Sequence, residues 1–284
     1  MLDKNHFGLK KVKERIIEQI AVLQNNPEAK SPILSLVGPP GTGKTSLAYS
    51  IAKGLNRPLV KVSLGGVRDE SEIRGHRRTY IASMPGKIIQ AVIKSGVNNP
   101  IILLDELDKM SSDFRGDPAA AMLEVLDYEQ NKHFQDHYIE AEYDLSKVMF
   151  IATANYADRI PEALYDRLEI IEINSYTELE KLEIAKRHLL PKVYKELNLS
   201  KSSYKISDVM ILHLIKHYTI ESGVRQLNRV LESIGRKIIV NKLDKKIKIG
   251  VINEKQIVKL LGQKIFDFTD RDIKPQVGTV MGLA

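Results

Sequence analysis

The chain of 284 residues contains no cysteine. That excludes disulfides, thiolate-bound zinc and a cysteine nucleophile, and it fits a reducing compartment. Long apolar runs are lacking too, since none approaches the ~20 residues that cross a bilayer. The first residues, MLDKNHFGLKK, hold no apolar signal core, so nothing points to export or to a membrane. There is no low-complexity tract and no repeat at a solenoid period. What remains is ordinary for a globular protein. With 43% hydrophobic and 28% charged residues, the chain can bury a core and is too apolar for disorder throughout.

The net charge of +7 is unevenly spread. Residues 181–260 carry 18 Lys/Arg against 7 Asp/Glu, whereas residues 1–180 carry 22 against 26. Two modules with different surfaces are expected, divided near Ser175. The basic one reads either as a solvated lysine-rich helical surface or as a site for nucleic acid or another acidic partner. Its run from Lys237 to Lys248 lacks interleaved aromatics, so stacking on single strands is unsupported.

Residues 8–24 place Leu9, Val12, Ile16, Ile20 and Leu23 at helical spacing. Short apolar runs at 33–37, 59–64, 101–104, 148–152 and 170–173 read as buried strands, most of them separated by helical stretches such as 45–54. Strands alternating with helices predict a parallel α/β sheet. From about Thr177 the pattern becomes helical, over 177–196, 207–217 and 223–242. A short alternating piece, 246–252, reads as one strand, and Asn253 as the cap of a last helix through Leu261.

The strongest local signal is Gly38-Pro39-Pro40-Gly41-Thr42-Gly43-Lys44-Thr45, which fits G-x-x-x-x-G-K-[ST] in full between a predicted strand and a predicted helix. Glycines let backbone N–H groups turn towards phosphate oxygens, and the helix N-terminus, continuing through Ser46, adds partial positive charge. Lys44 is placed to reach the β- and γ-phosphates, and the Thr45 hydroxyl to meet Mg²⁺. The run Ile101-Ile102-Leu103-Leu104-Asp105-Glu106 ends a strand in two carboxylates, which strand alternation sends to opposite faces. Asp105 is expected to hold the Mg²⁺ shell through water, and Glu106 to orient and polarise an attacking water. The pairs His133/His137 and His213/His217 have the spacing of a zinc-binding helix, but neither carries the following Glu nor a visible third ligand.

These motifs, with Ala154-Asn155 after a further strand and then Asp166-Arg167, resemble the AAA+ ATPase arrangement. Longer stretches narrow it: GGVRDESEIRGHRRTYIASMPGKIIQ (65–90), LLDELDKMSSDFRGDP (103–118), LEVLDYEQN (123–131), KRHLLPK (186–192) and ESGVRQLNR (221–229). Over nearly its whole length the chain resembles the ATPase module of the Lon family of ATP-dependent proteases. Residues 277–284 resemble the start of that family's peptidase domain, with Met281 where the family usually has Thr. The resemblance implies a fragment, the motor without the peptidase's Ser–Lys pair and without the N-terminal substrate-capture domain.

The fold so implied is an αβα sandwich on a five-stranded parallel sheet (1–175), a small, mainly helical lid (176–262), and a linker into a truncated peptidase domain (263–284). The implied activity is ATP hydrolysis with Mg²⁺, driving unfolding and translocation of unfolded or damaged protein through the pore of a hexameric ring, in a bacterial-type cytoplasm rather than a mitochondrial matrix. By the same resemblance Asn155 is the first sensor, and Arg167 is an arginine finger acting on the neighbouring subunit's ATP. Arg225 is the second sensor, His6-Phe7-Gly8 lie beside the adenine, and Tyr80-Ile81 form the substrate-gripping pore loop. Ala82 stands where the family has Gly, and Tyr128 where Pro is common. The rival readings are a DNA-acting AAA+ motor of the clamp- or helicase-loader type, and a nucleotide-sensing DNA-binding module. DNA also stands as a secondary partner within the main reading.

Overall fold

The computed structural model describes residues 1–26, 32–111, 116–200, 204–244 and 250–266. The chain forms two compact units, Met1–Tyr176 and Thr177–Ala284. In the first, the short apolar runs become strands β1 (Ile33–Val37), β2 (Leu59–Ser63), β3 (Ile101–Asp105), β6 (Met149–Ala154) and β7 (Leu168–Glu172), following one another with helices between. A three-residue hairpin, β4 (Phe134–Asp136) and β5 (Ala141–Tyr143), stands apart from them. The five long strands form one parallel sheet in the order β2-β3-β6-β1-β7.

Strand alternation divides the core between the two faces. Leu34 and Leu36, Ile101 and Leu103, Met149 and Ile151, and Ile171 face one side. There they meet Val12 and Ile16 of α2 (Lys10–Asn25), and Leu47, Ala48 and Ile51 of α3 (Lys44–Leu55). Ile102 and Leu104, Phe150 and Ala152 face the other side, against α5 (Lys87–Ser95) and α6 (Pro118–Leu126). Three short helices, α1 (Leu2–Asn5), α4 (Ser71–Arg74) and α7 (Glu162–Tyr165), complete the unit. Both faces are covered, as a parallel sheet requires. Helix α2 starts at Lys10 rather than at residue 8, because Leu9 has left-handed backbone (φ +54°) and still packs its side chain against the core.

The second unit contains α8 (Glu178–Ile184), α9 (Leu190–Glu196), α10 (Asp208–Tyr218), α11 (Arg225–Leu243) and α12 (Glu254–Leu261). They pack around Leu182, Val193, Ile211, Leu214, Leu231 and Ile257. The single helix predicted over 177–196 is divided by a π turn at Ala185–Leu189. Pro191 has no N–H and would crowd the carbonyl of Arg187 in a regular helix, and a widened turn relieves that crowding. Thr177 with Glu180 and Asn253 with Gln256 form reciprocal caps on α8 and α12. Of the strand predicted at 246–252, Val251–Ile252 forms β9 and pairs in parallel with β8 (Lys205–Ile206). Residues 245–249, and the peptidase-like stretch 277–284 with Met281, lie outside the described residues.

Candidate active site

Parallel strands bring their carboxyl ends to one edge of the sheet, where α/β proteins bind ligands. The loop after β1, the acidic turn after β3 and the turn after β6 all lie there. A Cβ on Gly38 would sit 2.2 Å from the Ile173 carbonyl oxygen, so only glycine lets the chain leave the sheet here. Gly43 (φ +92°) is left-handed and starts α3, whose first N–H groups are thereby left for the loop. The Thr42 hydroxyl donates to Pro39 O (2.8 Å) and the Tyr176 phenol to Thr42 O (2.7 Å), which holds the rim.

Lys44 is buried. Its Nζ donates to Gly38 O (2.5 Å), Pro39 O (2.9 Å) and Asn155 Oδ1 (3.1 Å). Burial lowers its pKa, against the opposing charges of Asp108 and Asp105. An ammonium tied to neutral carbonyls in a glycine cradle is a ready partner for phosphate oxygens, which would replace those acceptors with charged ones.

Asp105 accepts from the Thr153 hydroxyl and pairs with Lys61. Burial works against its ionised form, but the Lys61 and Thr153 hydrogen bonds and the charges of Lys61 and Lys44 outweigh it, so the carboxyl is held below its ordinary value. Glu106 has left-handed backbone (φ +63°), an uncommon conformation for a side-chain-bearing residue and one that clusters at functional sites. Its N–H donates to Thr153 Oγ1 (3.4 Å) and its carboxylate pairs with Lys109. Among the described residues no group of three or more His, Cys, Asp or Glu is placed to hold a metal. Asp105 and the Thr45 hydroxyl are oxygen donors of the kind that could serve Mg²⁺, an ion that keeps waters and takes phosphate oxygens as further ligands.

Arg167 lies elsewhere. Its carbonyl accepts from Ile33 N (2.9 Å) at the start of β1, and it immediately precedes β7. Because β1 and β7 are parallel and in register over five residues, Arg167 and the phosphate loop occupy opposite edges of the sheet. The separation is about 17 Å at ~3.3 Å per residue, further than an arginine side chain reaches. The guanidinium is half-exposed and rests on Asp127 Oδ2 through Nε (3.1 Å) and Nη2 (3.0 Å).

Tyr80 and Ile81 are 66% and 102% exposed at the tip of the loop between α4 and α5. The base of that loop is braced. His76 N donates to Met84 O (3.1 Å), and Gly86 N donates to Oδ2 of Asp136 (2.7 Å), a fully buried carboxylate whose Oδ1 takes the N–H groups of Tyr138 and Ile139. Ala82 is left-handed (φ +61°). Ala82→Gly is therefore expected to stabilise the chain by about 0.5 kcal/mol, since relief of ~1–2 kcal/mol of strain is partly offset by glycine's chain entropy. The matching rise of about 1–2 °C in Tm is read by thermal melting.

The His6 imidazole is buried and hydrogen-bonded to Ser50 Oγ (3.0 Å) on α3, so its ring faces the helix that follows the phosphate loop. Phe7 and Gly8 follow it, Gly8 with φ +65°. Arg225 is the first residue of α11 in the second unit, and exposed. The structure thus brings Lys44, Asp105, Glu106 and Asn155 to one sheet edge and leaves Arg167 at the other. The motifs did not mark Lys61, Asp108, Thr153 or Tyr176. Of these only Asp108, three residues after Asp105 in an acidic turn, carried a visible signal.

The model of the ATPase family associated with various cellular activities (AAA) matches residues 34–176. The chain belongs to the AAA family of ATPases. The Lon protease AAA+ ATPase lid domain matches residues 195–250, which makes this AAA ATPase a module of the Lon type. Lon protease of Mycoplasma mycoides is 59% identical over the whole chain and Lon protease 1 of Bacillus subtilis 57%. The chain covers 36% and 37% of those proteins, little more than a third of their length. Among solved structures, the RuvB Holliday junction branch migration motor of Thermotoga maritima matches with a TM-score of 0.59 at 18% identity, over 89% of this chain and 68% of that one. That likeness shows the shared fold. Among the described residues no helix is long and apolar enough to cross a membrane.

Proposed function

We propose that this AAA ATPase cleaves ATP at a site completed by a second copy of the chain, and spends the turnover on pulling unfolded polypeptide past Tyr80 and Ile81. The glycine loop and Lys44 bind the β- and γ-phosphates, and Ser46 continues the helix end behind them. Thr45, and Asp105 through water, would hold Mg²⁺, which would supply positive charge to the phosphates during cleavage. Glu106 takes the proton of the attacking water once its carboxylate leaves Lys109, and Asn155 orients that water. Arg167 of the adjoining copy approaches the γ-phosphate, and Arg225 links the lid to the nucleotide. The segment His6-Phe7-Gly8 borders the adenine, with the His6 ring serving to fix the segment on α3.

The observation that carries the mechanical half is the loop tip: two large apolar side chains stand in solvent on a base braced by a buried carboxylate. No core gains from them, so a passing chain is their natural partner. A head-to-tail contact that closes gives a ring, proposed here to have six members and to feed a peptidase chamber, as the resemblance to the Lon family implies. The cytoplasm of a bacterial cell suits a protein without cysteine.

Turnover is expected to require Mg²⁺, to vanish with EDTA, and to rise when unfolded casein is added. Stimulation by duplex DNA alone would favour a DNA motor instead. A secondary DNA contact through residues 181–260 is favoured by their charge, 18 Lys/Arg against 7 Asp/Glu. It predicts binding that weakens steeply with salt.

A further inference from the structure

The acidic turn contains a third carboxylate that the proposed chemistry does not use. Asp108 is buried. One oxygen, Oδ2, accepts the backbone N–H groups of Asn155 (3.1 Å) and Tyr156 (3.3 Å), which open the turn after β6. The other, Oδ1, is buried without a hydrogen-bond partner. A buried acceptor left in this state is costly, and native structures keep few of them. The Asn155 side chain meanwhile accepts from Lys44 Nζ (3.1 Å). A chain of contacts thus runs from Asp108 through the Asn155 backbone and amide to the loop lysine, joining the turns after β3 and β6.

We propose that Asp108 is a positioning residue for ATP cleavage, holding the Asn155 turn so that the Asn155 amide faces Lys44 and the γ-phosphate. The inference rests on Asn155 having the part given to it above. Without Asp108 the two N–H groups lose their acceptor, and the turn is free to move by the ~1 Å that costs about 100-fold in an aligned reaction. Binding is left to the glycine loop, to which Asp108 makes no hydrogen bond and on whose Lys44 it acts only through its charge.

Single-turnover ATP hydrolysis by Asp108→Ala, Asp108→Asn, Asn155→Ala and the Asp108→Ala/Asn155→Ala double variant tests this, with a fluorescent ATP analogue reporting affinity. Asp108→Ala is expected to slow cleavage by about 100-fold with affinity within about threefold. Asp108→Asn, which keeps one acceptor oxygen, should recover at least about a tenth of the wild-type rate. The double variant should be no slower than Asn155→Ala by more than about twofold, because residues acting through one another are not additive. If Asn155→Ala cleaves at the wild-type rate, the role of Asn155 itself falls and takes this inference with it. If Asn155→Ala is slow but the losses multiply in the double variant, Asn155 stands and the positioning role of Asp108 is overturned. A fall in affinity that parallels the loss of rate overturns it too. Should Asp108→Ala fail to fold, Asp108→Asn with and without Asn155→Ala carries the same comparison.

Discussion

Arg167→Ala is expected to lower ATP turnover of the assembled protein by about 1,000-fold or more, while ATP affinity stays within about threefold. The geometry separates the two effects. Arg167 sits before β7, at the edge of the sheet away from its own phosphate loop, and cannot touch nucleotide bound there. Its loss also leaves the fold nearly intact, because a half-exposed ion pair contributes only ~0–1 kcal/mol and Asp127 Oδ1 still accepts from Glu129 N and Gln130 N. Mixing supplies the decisive measurement. Lys44→Met has a defective loop but an intact arginine, and Arg167→Ala the reverse. Each alone should be inactive, and a mixture should regain turnover as one copy lends Arg167 to the next. Loss of ATP binding by single copies of Arg167→Ala, or no recovery on mixing, would remove the assignment.

Glu106→Gln is expected to keep ATP bound and slow its cleavage by about 100- to 10,000-fold, the usual worth of a positioned general base. The amide retains the length and shape of the side chain, so the left-handed turn at Glu106 and its N–H bond to Thr153 persist. What disappears is the proton acceptor. Lys44, Thr45 and Asp105 are untouched, so the variant should trap ATP, visible as nucleotide that stays with the protein through gel filtration. Wild-type turnover by this variant would exclude Glu106 as the base. The pairing of Glu106 with Lys109 adds that the carboxylate must turn before it can work.

Much of this was legible in the residues because it is local. The glycine loop is a contiguous signature, and the strand runs of the sheet stand out as apolar blocks between polar helices. The cap at Asn253 is local in the same way, its partner lying three residues on, and the cap at Thr177, not predicted from the sequence, has the same spacing. The unseen contacts depend on sheet order. Asp105 meets Lys61 and Thr153 only because β3 lies between β2 and β6, and Asp108 meets Asn155 across 47 residues for the same reason. Arg167 was assigned by resemblance, and no pattern in the sequence says which edge of the sheet it occupies. The hairpin β4–β5 has three residues a strand, too few to carry an alternation. The π turn before Pro191 is a response to a local clash that helical periodicity does not encode.

The buried carboxylate under the exposed loop has a mechanical meaning. A pull on Tyr80 would meet the His76–Met84 backbone bond and, behind it, the Gly86 amide moored to Asp136. Water cannot replace that link as it stretches, because Asp136 is wholly enclosed. Under the proposed pulling role, load on the tip would pass through that bond into β4, which ends at Asp136, and into α5, which Gly86 caps.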